Sequence, residues 1–333
     1  MKTRRLPLSG IHLILRRLLQ LAGVVVGIAT VNFFLLRFAP GDAVQVIASE
    51  AGSASLEYVE ALRRQFGLDQ PLWWQYLNYM SGLARLDLGY SFRHSMPVAT
   101  LILDRLPATL LLMTTSVLLA VFAGGFLGIL AAYRPGRWQD VLISVVALLC
   151  FATPLFLIGL ALVVGFSVWL DWLPVGGMFD IAIQAQGWAR VFDVARHLIL
   201  PSLTLALFYM AVYVRLMRAS VMEVRRQDYV RTAVSRGNGP VRVLLVHVLR
   251  NAALPLVTML GVQMGSIIGG AVVVETVFSW PGLGRLSFDA LVQRELTLLV
   301  GVLLCSSILV VLVNWLVDFT YAVLDPRIRS SRS

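Results

Sequence analysis

QDYVRTAVSRGNGPVRVLLVHVLRNAALP, residues 227–255, is the longest polar, basic segment lying between strongly apolar runs. It carries Arg231, Arg236, Arg242 and Arg250, and Gly237-Asn238-Gly239-Pro240 interrupts it. Asp228 is placed to cap a short helix. Gly237 and Gly239-Pro240 end that helix, and Val241 to Leu249 resumes with apolar helical spacing before Pro255. The pattern reads as a helix–turn–helix. Any basic cytoplasmic loop can serve topology alone, but a rigid helix held between two membrane helices suits a mechanical contact with a partner better than a slack tether does.

The flanking sequence places this segment beside a bilayer. Of the 333 residues, 58% are hydrophobic and 14% charged, against about 25% charged in ordinary soluble domains. Apolar runs fall at 18–36, 106–133, 141–170, 198–214, 252–274 and 296–317. About 20 apolar residues cross the hydrocarbon, so these predict six spanning helices in an all-α membrane protein. The longer runs have room to tilt or kink, and Thr153-Pro154 lies inside the third. The first run ends at Arg37-Phe38-Ala39-Pro40-Gly41 with no small-residue cleavage site, which favours an uncleaved helix over a signal peptide. The expected organisation is therefore an N-terminus and first helix over 1–36, an extracytoplasmic region over 37–97, a core of five helices over 98–324 and a tail over 325–333. Within the extracytoplasmic region Leu56 to Phe66 is amphipathic, and Trp73, Trp74, Tyr76 and Tyr79 are expected at lipid headgroup depth.

Orientation follows from arginine and lysine. The loops 1–17, 134–140, 215–250 and 325–333 hold 18 of the 28 basic residues. Positive loops stay inside, which puts both termini and the 215–250 loop of this multi-pass protein in the cytoplasm. The net charge of +10 is thus a topology signal, not a nucleic-acid footprint.

Several activities are excluded or weakened. Lys2 is the only lysine, and an ATP-binding P-loop needs a lysine that reaches the phosphates. No nucleophile elbow, zinc-protease motif or paired carboxylates appear, so an enzyme is not expected. His12, His94, His197 and His247 lack ligand spacing, so no metal site is expected. Cys150 and Cys305 sit in apolar runs, where they fill packing space. Intramembrane charges mark ion pathways; here only Glu275 and Asp318 lie near span ends, which weakens an ion-coupled carrier or stand-alone channel. Vectorial work would then draw its energy from another subunit.

Two further motifs stand out. Gly261, Gly265 and Gly269 recur every four residues in the fifth span, with Gly270 beside them, and Gly124 and Gly128 repeat the spacing in the second. Small residues at that interval let helices approach closely; bundle packing and lining of a pathway are both compatible with it. ETVFSWPGLG, residues 275–284, follows the fifth span on the outer side. Its Pro-Gly turn, with Phe278 and Trp280 at the interface, fits either an aromatic belt at a corner or, with Glu275, an outer gate or a seat for a delivering protein.

At these residues the chain resembles the inner-membrane permease subunits of binding-protein-dependent ABC importers, in the dipeptide/oligopeptide/nickel class. DYVRTAVSRG occupies the place of that superfamily's cytoplasmic EAA loop. Arg231-Thr232-Ala233 stands where the general pattern has Glu-Ala-Ala, and an Arg-Thr-Ala version is usual in this branch. FFLLRFAPGD (33–42), LRRQFGLDQPL (62–72), DLGYSF (87–92), RLPATL (105–110), GGAVVVETVFSWPGLGRL (269–286) and YAVLDPRIR (321–329) extend the likeness over almost the whole chain. The resemblance implies a type I importer permease fold, a second related permease, a periplasmic or lipoprotein receptor, and two cytoplasmic ATPase subunits that carry the ATP and magnesium. This chain would carry no cofactor. Di- or oligopeptides are the implied substrates, with nickel chelates, glutathione and other small solutes as alternatives. Tyr229, Arg231, Thr232, Ala233, Arg236 and Gly237 would form the coupling helix that seats in the ATPase.

Overall fold

The computed structural model describes residues 22–35, 69–91, 93–180 and 186–324, with Leu19, Glu60, Arg64 and Ala182 besides; side chains at 262, 264–268 and 317–324 are excepted. The expected helix over 56–66 and the tail over 325–333 lie outside the described residues. The described chain is almost wholly helical: α1 (Ala22–Leu35), α2 (Leu72–Ala84), α3 (Val98–Tyr133), α4 (Trp138–Ala152), α5 (Leu155–Leu162), α6 (Trp188–Arg225), α7 (Asp228–Ser235), α8 (Pro240–Arg242 through Leu249–Ala252), α9 (Leu254–Val277), α10 (Leu283–Val292) and α11 (Leu296–Leu324). Two short strands, β1 (Tyr90–Ser91) and β2 (Met96–Pro97), pair antiparallel between α2 and α3.

Four helical stretches are long and apolar enough to cross a membrane: Val98–Tyr133, Trp188–Arg225, Pro240–Gly261 and Leu296–Leu316. A fifth forms if the pair α4 and Leu155–Trp169 counts as one. That pair bends by 108°, so the 141–170 run is not one straight span. Thr153 is extended, at φ −82° and ψ 131°, because Pro154 bars its predecessor from helical geometry. The α5 rod then widens into a π-helix over Val163–Trp169. The first expected span is described only over Ala22–Leu35, which is short for a crossing.

The chain divides into two compact units. In the first (residues 1–104 and 286–311), α1 meets α2 through the Thr30 and Tyr76 hydroxyls at 2.8 Å. The Phe33 ring lies 5.4 Å from Tyr76 and 5.7 Å from Tyr79. The two tyrosines turn toward α1, and burial pushes the Tyr79 phenol up. Trp73 and Trp74 remain exposed.

In the second unit (residues 105–285 and 312–333), α6 is the hub. It packs against α4, α5 and α9, and 72% of its apolar window is buried, against 22–39% for the other long apolar helices. Gly124 and Gly128 let α3 lie on α6: a Cβ on Gly124 would fall 2.6 Å from the Tyr213 Cβ, and one on Gly128 2.7 Å from the Val214 carbonyl. In the fifth span Gly270 makes a close approach: an added Cβ would come within 2.9 Å of the Tyr209 hydroxyl. Gly269 has nothing within 4 Å, Gly261 is half-buried on α9, and the surroundings of Gly265 lie outside the described side chains.

The span expected over 198–214 is much longer than its apolar core. With 38 residues at about 1.5 Å each, α6 is about 57 Å long, nearly twice the ~30 Å hydrocarbon thickness. Its basic end, from Arg215 to Arg225, projects beyond the apolar window and leads into the segment quoted at the outset.

Candidate functional site

The 227–255 segment is the expected helix–turn–helix. A two-residue bend at Arg226-Gln227 separates α6 from α7. Gln227, not Asp228, occupies the N-cap, with no side-chain cap hydrogen bond; Asp228 lies in the first turn, where its charge still favours the helix dipole. At the other end Gly237 takes φ +81°. Its N–H donates to the Val234 carbonyl at 2.9 Å, and the Asn238 N–H donates to Ala233 at 3.4 Å. This is a Schellman closure, which needs a left-handed residue at that position. The Asn238 amide reinforces it by donating to the Ala233 carbonyl at 2.9 Å. Nothing lies within 4 Å of a Cβ at Gly237, so conformation, not space, demands the glycine.

The two faces of α7 differ. Val230 and Ala233, three residues apart, are 4% and 6% exposed and join the hydrophobic core that contains Val243 and Val248. Tyr229, Arg231, Thr232, Val234, Ser235 and Arg236 are exposed. Ala233 therefore seats the helix on its own protein, whereas four of the other singled-out residues, Tyr229, Arg231, Thr232 and Arg236, are available to a partner. The Tyr229 hydroxyl accepts from the Asn251 amide at 2.6 Å, tying α7 to the returning helix. That return, α8, is a π-helix over Val243–Val248, a widened turn common at functional positions.

Two polar groups that sequence reasoning passed over fix the base of this platform. Asp140, 4% exposed, receives Arg218 Nε at 2.6 Å and Nη2 at 2.8 Å and the Gly136 N–H at 2.8 Å. Arg225 donates through Nη1 to the Ala132 carbonyl at 3.2 Å. Asp140 was visible as a lone acid in a basic loop; its partner lies 78 residues away, and no local pattern announces that.

At the opposite end of α9 the 275–284 turn is built around Glu275, which is fully buried. Its carboxylate accepts from the Thr109 hydroxyl at 2.7 Å, the Arg285 N–H at 3.0 Å and the Gly284 N–H. Thr109 in turn accepts the Leu283 N–H at 2.7 Å. Glu275 and Thr109 thus satisfy the free amides at the start of α10. Any side chain on Gly282 would collide with the carboxylate, and one on Gly284 would come within 2.6 Å of the Val272 Cα. Phe278 and Trp280, expected at the membrane interface, are instead buried. Trp280 Nε1 donates to the Ala108 carbonyl at 2.9 Å, and the Gly177 N–H donates to the Phe278 carbonyl at 2.8 Å. Pro281 and the left-handed Ser279, at φ +53°, turn the chain inward here.

Residues 124–330 match the family described as binding-protein-dependent transport system inner membrane component, and residues 10–113 match the corresponding N-terminal family. The chain belongs to this family of transport permeases. It is 39% identical to the di/tripeptide transport system permease protein DppB of Pseudomonas aeruginosa, over 96% of this chain and 99% of that one. The Escherichia coli dipeptide permease DppB is 36% identical over 97% of this chain and all of its own length. The glutathione permease GsiC of Escherichia coli is 39% identical over 96% of this chain and 99% of its own. A chain of the MetNI methionine ABC transporter, solved in inward-facing conformations, shares the fold at TM-score 0.55 and 15% identity, covering 68% of this permease and 96% of that chain. The family is one of transport components, not of enzymes.

Proposed function

We propose that this permease forms the translocation path of an ATP-driven importer of small peptides, crossing the bacterial inner membrane six times with both ends in the cytoplasm. The near-full-length identity to di/tripeptide and dipeptide permeases carries the reading. The glutathione permease, at the same 39% identity, falls within the same substrate size, two to three residues. A solute-binding protein delivers the peptide from outside, and a second permease completes the path. Two ATPase subunits, which hold ATP and magnesium, dock on α7.

The exposed Tyr229, Arg231, Thr232 and Arg236 are the docking side chains; Ala233 and Gly237 hold the helix in place for them. Glu275, Phe278 and Trp280 make a fixed outer corner rather than a swinging gate, because each is buried and hydrogen-bonded or packed. Deleting the gene in an amino-acid auxotroph should abolish uptake of labelled di- and tripeptides that contain the required residue, and the chain supplied in trans should restore it. Unchanged peptide uptake, with loss of uptake of another solute, would overturn the peptide assignment.

A further inference from the structure

We infer that Asp140, Arg218 and Arg225 are positioning residues for transport. They clamp the α3–α4 turn to the projecting end of α6, so that a displacement of α7 is passed to the membrane helices as one body. The inference rests on α7 being the ATPase-docking helix.

Three observations converge on the clamp. Asp140 is almost wholly buried and takes two parallel hydrogen bonds from Arg218, at 2.6 and 2.8 Å, the fork geometry that fixes orientation as well as distance. The Gly136 N–H, at 2.8 Å, ties the same carboxylate to the turn between α3 and α4. About two turns further along α6, Arg225 reaches the Ala132 carbonyl at 3.2 Å and so engages the last turn of α3, where unpaired carbonyls favour a cation. Arg218 and Arg225 are seven residues apart on one helix, and both face the α3–α4 hairpin. From Arg225 only Arg226 and Gln227 intervene before α7 begins.

Force applied at α7 enters α6 at its far end. Apolar packing at Met217 and Val221 holds this part of α6 but does not fix its rotation as directional hydrogen bonds do. The clamp anchors this end to a second pair of helices near the point where load arrives. A bidentate Arg–carboxylate pair suits the task because its geometry fails sharply when either helix rotates.

The test uses the complete importer in nanodiscs with its binding protein, comparing wild type, R218K, D140N and the double variant D140N/R218Q. Peptide uptake and ATP hydrolysis are measured in the same preparation, along with retention of the ATPase subunits. R218K keeps the charge but loses the fork. The double variant removes both charges, so no uncompensated buried ion remains to destabilise the fold. The expected result is loss of peptide moved per ATP hydrolysed in R218K and the double variant, with the ATPase subunits still bound and hydrolysing. An unchanged peptide-to-ATP ratio in both would overturn the inference. So would a loss of uptake in strict proportion to loss of assembled complex. If wild type itself neither retains nor stimulates the ATPase, the docking assignment fails instead; the two failures are thereby distinguished.

Discussion

Replacing Glu275 with alanine should loosen the 275–284 turn by an amount the hydrogen bonds bound from below. The carboxylate is fully buried and holds the Thr109 hydroxyl and the Gly284 and Arg285 amides. Thr109 can rotate its hydroxyl to another acceptor. The two amides cannot turn away, because the backbone of the first turn of α10 fixes their direction. A buried donor left unmade costs about 1–3 kcal/mol, so the pair alone sets a loss of about 2–6 kcal/mol. At about 2 °C per kcal/mol for a chain of this size, the unfolding midpoint in detergent should fall by about 4–12 °C. Intrinsic tryptophan fluorescence during a thermal ramp reads this directly, since Trp280 is buried in the same turn. Glu275→Gln keeps the volume but offers acceptors on one end only, so it should fall between alanine and wild type. A simple packing defect would leave glutamine silent. Midpoints indistinguishable from wild type for both variants would refute the account of Glu275 as the keystone of the turn.

Gly270→Ala should destabilise by about 1–3 kcal/mol through overpacking on Tyr209, whereas Gly269→Ala should stay within about 0.5 kcal/mol; equal midpoints would sink the assignment of the close contact. Gly237→Ala forces a Cβ into the left-handed region at about 1–2 kcal/mol. It should lower the peptide-to-ATP ratio while membrane insertion, read by detergent-extracted yield, stays normal. Ala233→Glu places a charge in a site 6% exposed and should detach α7 from its seat, seen as new protease cleavage between α6 and α8; an intact digestion pattern would argue against the inward orientation.

What could be read from the sequence was whatever local chemistry determines. Apolar runs gave the helices, Gly237 and Pro240 gave the break in the 227–255 hairpin, and Thr153-Pro154 marked a place where the 141–170 run could kink, because each acts on its immediate neighbours. Span ends were harder. The α6 helix continues through Arg215, Arg218 and Arg225, since arginine is a good helix former and the bilayer edge does not terminate backbone hydrogen bonding. The burial of Phe278 and Trp280 was hidden for a different reason. Aromatic residues after a span suit an interfacial belt, and only the tertiary arrangement of Ala108, Gly176 and Gly177 supplies the partners that draw them inside. Likewise the spacing of Gly261, Gly265 and Gly269, with Gly270 beside them, did not say that Gly269 faces open space and Gly270 faces Tyr209. The contact falls at Gly270, one position round the turn, and periodicity alone cannot say which face of a uniformly apolar helix meets its neighbour.

The carboxylates bear on what drives the machine. Among the described residues, Asp140 and Glu275 are the buried acids, and each accepts from three protein donors. A carrier driven by protons needs a carboxylate that exchanges partners during the cycle. Protonating Asp140 would break a forked bridge that joins two helices, and protonating Glu275 would set an O–H against one of the amides that open α10. Both acids therefore serve the architecture of the second unit, Asp140 at the turn between α3 and α4 and Glu275 beneath the 275–284 turn. Neither buried acid can therefore exchange partners without loosening the second unit.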